Sequence, residues 1–455
     1  MALPTIAFNS SGSDTAASGA GPATALFGTG AILASNTTVN LSADSPDLSG
    51  VATDGSAIVW VESSSGRRFA KITAVDNVAK TVTVSDAYAV TEVGKNWGIG
   101  GKRATLASSL ELGTDCRGGW TIDIQTDQTL TANFNLKPNA VTDLWTSFTS
   151  TTSTRPIIST STNSVYGLDI QGANNLVISH LEFKSTAATP GNGIGPASTS
   201  AANYVLLSDC VIDGFAYGIR DHDNGGNVDV FGLTIANCEV KNCTTRGIYT
   251  WAGLSLKDSK VTGNLGIGVE IVATRSKGVN ADNCVIDGNK GSNLKITPAT
   301  GNSVVVRHCA LSNCLNDGAG NGSGLYLNTT SSSTWTIEYN IIYGNYKYGV
   351  TATGGSLPAL VNRRNAWGGN GTADVNGAVT TTGDNAVTLS ASPFVSATDW
   401  ALNDTAGAGL ACQNAAALIP NASATAAIPH IGPNLKAAAA AGGRGGPLIN
   451  GGLVI

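Results

Sequence analysis

The densest run of potentially reactive side chains is Arg220-Asp-His-Asp-Asn-Gly-Gly-Asn-Val-Asp229. Its three aspartates, two asparagines and one arginine fall within ten residues, a set able to hold a cation or to meet sugar hydroxyls. The same residues also suit a polar loop, because Asp and Asn side chains hydrogen-bond their own backbone in turns. Further along stand Tyr249, Trp251, Glu270 and Tyr326. Aromatic faces beside charged hydrogen-bonding groups suit sugar recognition, where the CH face of the ring packs on the aromatic. Arg220, His222, Tyr249, Trp251 and Tyr326 are therefore the candidate glycan-binding residues. Asp221 or Asp223 facing Glu270 would supply the two carboxylates of a glycosidase. These positions span more than a hundred residues, so a regular element has to bring them together.

A repeat does so. A Gly followed by an apolar strand recurs at Gly167, Gly193, Gly218, Gly247, Gly268, Gly324 and Gly349, with Asn293 in one rung, in steps of 26, 25, 29, 21, 25, 31 and 25 residues. A second ladder, small residue then apolar residue then turn, runs through Cys210, Cys238, Ser259, Cys284, Cys309 and Asn340 in steps of 28, 21, 25, 25 and 31. The two keep step. A period near 25 with strand-like alternation is too short for two helices and fits three short strands and three bends per coil, stacked ~4.8 Å apart. Alternation turns Cys210 and Ile212, Cys238 and Val240, and Cys284 and Ile286 inward, and Val211, Glu239 and Lys260 outward. The cysteines then read as small buried hydrophobes. Five residues after each ladder position come Phe215, Cys243, Asn264, Asn289, Cys314 and Asn345. The asparagines there can stack, each amide bonding its neighbour's backbone.

On the Gly ladder the outward positions form two stripes. Asp169, Arg220, Tyr249, Glu270, Lys295, Tyr326 and Thr351 make one; Gln171, His222, Trp251, Val272, Thr297, Asn328 and Thr353 make the other. Glu270 falls two rungs from the Asp221–Asp223 loop, roughly 10 Å by strand spacing. An inverting pair of carboxylates wants ~6.5–9.5 Å.

The stacked coils resemble the right-handed parallel β-helix of the pectin-lyase-like superfamily over residues 119–412. Ser392-Pro-Phe-Val-Ser-Ala-Thr-Asp-Trp-Ala-Leu-Asn-Asp-Thr-Ala-Gly407 resembles the closing coil of such proteins. The resemblance implies an all-β solenoid. It leaves the activity open, since the superfamily holds lyases, hydrolases, epimerases and non-catalytic spikes. The Asn-Thr-Asp, Asp-Asp and Gly-His-Gly motifs of its polygalacturonases do not occur, and Asn328-Thr-Thr lacks the acid. Its pectate lyases hold calcium in a carboxylate cluster; here no cofactor and no dedicated metal site are expected, although the 220–229 loop could bind a divalent cation such as calcium.

Residues 1–103 do not share the period. Ala57-Ile-Val-Trp-Val-Glu, Arg67-Arg-Phe-Ala-Lys-Ile-Thr-Ala-Val and Thr81-Val-Thr-Val read as strands of a small antiparallel β head. Such heads resemble those at the front of phage-encoded β-helix proteins. Residues 104–118 are expected to cap the solenoid, with a helix over 104–112. Residues 413–455 form a cap and a Gly- and Ala-rich tail that needs a neighbour to order it.

Composition narrows the functions. Gly is 56 of 455 residues, charged residues are 13%, and hydrophobic residues, at 42%, suffice for a long core. A net charge of -5 disfavours nucleic acid as a partner. No run of 18 apolar residues suggests a membrane span. The N-terminus, Met-Ala-Leu-Pro-Thr-Ile-Ala-Phe, lacks the pattern of a secretory leader. With 8 Cys, no CxxC and 4 His, neither a disulfide framework nor a structural zinc site is expected. The resulting expectation is a tailspike- or fibre-like virion protein, a homotrimer attached to other virion proteins by its head or tail and displaying a face for host polysaccharide. The alternative is a polysaccharide lyase or glycoside hydrolase acting on capsule or other acidic glycans.

Overall fold

The computed structural model describes residues 5–8, 26–33, 37–41, 47–49, 51, 53, 58–63, 66–85 and 92–99, and residues 121–415 apart from 137–144, 171–172, 197–202, 222–230, 252, 273–277, 298–300, 319–321, 330–332, 355–359, 378–385 and 398. Three parallel sheets of 11, 11 and 9 strands run along the solenoid. A complete coil gives one strand to each, as Phe231–Ala236, Glu239–Lys241 and Arg246–Thr250 do in turn.

Register is held from coil to coil, so each inward column stays apolar. The first sheet stacks Leu207, Ile235, Leu256, Ala281, Val306 and Ile337. The second stacks Ile212, Val240, Val261, Ile286, Leu311 and Ile342. The third stacks Ile219, Ile248, Val269, Leu294, Leu325 and Val350. All belong to one buried cluster that runs from Ile122 to Trp367. Full burial of each such side chain contributes ~1.5–3 kcal/mol.

Bends between the first and second sheets are made by residues with a left-handed backbone: Asp209, Asn237, Asp258 and Asn283 have φ of 55, 52, 48 and 56°. Asn and Asp tolerate that conformation at lower cost than most residues. Bends into the third sheet carry the ladder glycines. A Cβ on Gly247 would lie 2.5 Å from the carbonyl oxygen of Gly268, and one on Gly268 would lie 2.6 Å from that of Asn293. The Gly ladder thus marks a corner where each coil rests on the next one's backbone.

The asparagine stack forms as expected. The Asn264 amide donates to Asn289 Oδ1 at 2.7 Å, and Asn289 Nδ2 donates to the Val261 carbonyl at 3.0 Å. The cysteine ladder is buried. Burial pushes the thiols of Cys243 and Cys314 up to about 12, so neither offers a reactive thiolate at neutral pH.

The ends differ from expectation in two respects. The antiparallel head is a closed six-stranded barrel of Leu26–Leu33, Thr38–Asn40, Ile58–Ser63, Gly66–Asp76, Thr81–Val84 and Glu92–Ile99, around Val39, Val59, Ile72, Val82, Trp97 and Ile99. It does not begin at residue 1. Thr5–Phe8 pairs in parallel with Thr121–Ile124 and is the outermost strand of the first solenoid sheet. Four residues of alternating apolar character cannot disclose their partner, which lies more than a hundred residues on. At the other end, Leu389, Phe394 and Cys412 pack outside the second sheet on Val285, Ala310, Ile341 and Ala366. Outward positions there are therefore covered, while Glu239 and Lys260 keep partial exposure as expected. A short helix, Gly409–Ala415, ends the described chain. The expected cap at 104–118 and the tail beyond 415 lie outside the described residues.

Candidate functional site

Two residues per third-sheet strand set the site: one inside, one out. Beside the inward column, Arg220, Tyr249, Glu270, Lys295, Tyr326 and Thr351 stand in register on successive coils. This is the first outward stripe as the spacing predicts it. Asp169 pairs with Gly195, which occupies the rung before Arg220. In the second stripe Val272 pairs with Thr297, and Asn328 with Thr353. Trp251 follows Thr250, the partner of Ile271, and so lies level with Val272.

The stripes form a connected network. Trp251 Nε1 donates to the Tyr249 hydroxyl at 2.9 Å. The Tyr217 and Tyr249 rings lie 5.8 Å apart, tilted by 32°. The Arg246 guanidinium sits 4.4 Å from the Tyr249 ring centre, and Nη1 donates to the Tyr217 hydroxyl at 3.3 Å. Arg220 lies 4.8 Å over Tyr217, and Lys295 Nζ lies 5.7 Å from the Tyr326 ring centre. Tyr326 shares a hydrogen bond of 3.0 Å with Thr353. Cation–π contacts of this kind are worth about 0.5–1 kcal/mol each at exposed sites. They hold long side chains flat against the sheet.

Glu270 sits at the centre, with a side chain 5% exposed. It pairs with Arg246 through one oxygen and with Lys295 Nζ at 2.9 Å through the other. The two cations are 27% and 32% exposed, so their outer edges stay open to solvent.

Tyr217 and Arg246 belong to this network but not to the sequence-derived stripes. Counting back by twos from Arg220 puts Tyr217 inside. The bend at Gly218 resets the alternation: Tyr217 pairs with Arg246 outside, and register resumes at Ile219 with Ile248. An aromatic or cationic residue directly before four of the ladder glycines, as Tyr166, Tyr217, Arg246 and Tyr348, was the available signal.

The expected catalytic carboxylates fare differently. Asp221 is 1% exposed and turned under the face. It accepts a hydrogen bond from the Thr250 hydroxyl and bonds of 2.8 and 3.1 Å from the Trp251 backbone N–H. It anchors the end of the next strand. Alternation explains this, since Arg220 takes the outward parity and leaves Asp221 the inward one. His222 and Asp223 lie outside the described residues. Glu270 is two rungs from Arg220, as expected, but both of its oxygens face cations. Among the described residues of this face, no two carboxylates oppose each other across an open gap. Nor, among the described residues, does any group of three or more His, Cys, Asp or Glu stand together as a metal site.

The model of the right-handed β-helix region matches residues 192–365, the coils that carry this face. These coils are a right-handed parallel β-helix. The β-helix is similar to the solved structure of pectate lyase Pel9A, at 15% identity over 73% of this chain and 90% of that one, with a TM-score of 0.37. It is also similar to the Agl-KA catalytic domain, at 12% identity over 81% and 77% with a TM-score of 0.36. The tailspike protein gp49 of Pseudomonas phage LKA1 matches at 11% over 81% and 64%, with a TM-score of 0.22. These likenesses carry no assignment of activity to this β-helix. No curated protein matches the sequence.

Proposed function

We propose that the outer face of the third sheet binds a host-surface glycan, and that the chain is a tailspike- or fibre-like virion protein. The supporting observation is the aromatic and cationic surface of Tyr217, Tyr249, Trp251 and Tyr326 with Arg246 and Lys295, set on a rigid sheet. Rigid strands hold these groups before any ligand arrives, which lowers the ordering cost of binding. On this reading the chain is a homotrimer that joins other virion proteins through its β head or its C-terminal tail. The test is binding to a panel of bacterial capsular polysaccharides, with Tyr249→Ala and Trp251→Ala as variants. Each truncation is expected to weaken binding by about tenfold or more, as aromatic anchors do. Unchanged binding by both variants would sink the assignment of this face.

A second reading, a capsule-degrading lyase or hydrolase with calcium as a possible aid, draws on one observation. Glu270 stands two rungs from the strand that runs into the acidic 221–229 segment. Loss of capsule cleavage in Asp223→Ala and Glu270→Gln, with melting temperature unchanged, would favour it. Retained glycan binding with no cleavage by the parent protein would exclude it.

A further inference from the structure

We infer that the glycan bound by this face is anionic, and that Arg246 and Lys295 receive its charged group, be it carboxylate, sulfate or phosphate. The inference rests on the glycan-binding reading and adds the substrate class.

Charge on the face supports it. The chain as a whole carries -5. Between the coils of Arg220 and Tyr326, the described outer face exposes two cations, Arg246 and Lys295, against one carboxylate, Glu270, while Arg220 is buried. A second carboxylate, Asp221, is turned under the sheet and committed to Thr250 and Trp251. An excess of positive charge on one face of an acidic protein favours an anionic partner.

Geometry supports it independently. Glu270 lies between Arg246 and Lys295 and is itself buried, so it fixes both cations from below. Tyr249 backs the guanidinium at 4.4 Å, and Tyr326 flanks the ammonium at 5.7 Å. Both heads are thus held from the protein side and keep 27% and 32% exposure. Paired donors in a fixed arrangement are what an oxyanion group on a sugar requires. A neutral sugar would gain stacking from Tyr249 and Tyr326 but would leave the excess charge unused.

The test compares glycans that share a backbone and differ in charge. The probes are dextran sulfate against dextran, and polygalacturonate against its fully methyl-esterified form, measured by calorimetry on the full chain. The anionic member of at least one pair is expected to bind about tenfold tighter or more, with affinity falling as salt screens the contact. Arg246→Gln and Lys295→Gln should each remove about tenfold of that preference, read as the ratio of affinities for the anionic and neutral members of a pair. Lys295→Gln guards against a folding defect in the Arg246 variant, since Lys295 is the more exposed. Lys184→Gln, on the second sheet, should change nothing. An equal loss there would mean unspecific ion exchange and overturn the inference. Equal affinity for both members of each pair would also overturn it while leaving the glycan reading intact. Failure to bind either pair or any capsular polysaccharide would remove both.

Discussion

Asn289 shows what a single side chain does in a stacked coil. It is fully buried and makes four hydrogen bonds. Nδ2 donates to the Val261 carbonyl at 3.0 Å and to Asn293 Oδ1 at 2.9 Å, while Oδ1 accepts from Asn264 N and Nδ2 at 3.1 and 2.7 Å. Asn289→Ala would leave the Asn264 backbone N–H without a partner in a dry interior. We expect a loss of about 3 kcal/mol, measured as a shift of the urea midpoint without a change in slope. The stack was legible in the spacing of Asn264, Asn289 and Asn345, but its repair was not. Cys314 interrupts it, and Asn293 bridges the gap by donating to the Ser312 carbonyl at 2.7 Å and to Asn345 Oδ1 at 3.2 Å. The odd residue of the Gly ladder thus compensates for the odd residue of the Asn stack. Each exception is visible in its own ladder. Their meeting depends on side chains crossing the inside of the coil, which no one-dimensional spacing records.

Sheets and the segments laid on them follow rules of their own. The outward row of the second sheet reads Glu182, Val211, Glu239 and Lys260, then Val285, Ala310, Ile341 and Ala366. The unbroken apolar run after Lys260 marks where the C-terminal segment lies down, and Trp400 reaches its limit 5.3 Å from Lys260 Nζ. That run could be read from the sequence once register was known. The identity of the cover could not, because residues 389–412 carry no repeat. Two aspartates five residues apart respond to this layout in opposite ways. Burial pushes the Asp287 carboxyl up, against hydrogen bonds from Ser312 at 2.5 Å and Asn313 at 2.8 Å. Burial also opposes ionisation of Asp282, but the bonds and charge of His308 and Arg307 outweigh it and hold that carboxyl below its usual value. A raised carboxyl contributes stability that is complete below the unfolded value of ~3.9 and is lost as pH rises through the folded value. A depressed one contributes stability present above ~3.9 and lost as pH falls through the folded value. Asp287→Asn should therefore flatten the decline of melting temperature just above pH ~4, and Asp282→Asn should flatten the decline below it. Parallel shifts of the whole pH curve in both variants would refute this division.

At the scale of the molecule, each of the two longer sheets stacks eleven described strands, about 48 Å at ~4.8 Å per step. The rungs are kept in phase on one edge by charge as well as packing. Lys257, Asp282, Arg307 and Glu338 alternate in sign along four coils of the first sheet, with Arg307 and Asp282 at 2.9 Å. A slip by one coil would set like charges together. The rod and its period were evident from the two ladders alone, because alternation and spacing are local properties that the coils repeat. The placement of the barrel was not, because it depends on the pairing of Thr5–Phe8 with Thr121–Ile124. The barrel is an excursion between the first two strands of one sheet. Its outer strands meet, with Leu26 opposite Ile99, so the chain leaves and returns at points roughly 5 Å apart. A linker of a few Gly and Ser residues in place of 26–99 should close that gap without moving either solenoid strand. The barrel and the solenoid have separate buried clusters, so removing one takes little from the core of the other. Thermal unfolding of the excised chain is expected to keep its midpoint within a few degrees, since among the described residues the two buried clusters share no member. Affinity for the capsular probe should be unchanged, because every residue of the third-sheet face remains. If the β head attaches the rod to a particle, the same variant should fail to enter virions, and its incorporation at parental levels would move attachment to the C-terminal tail.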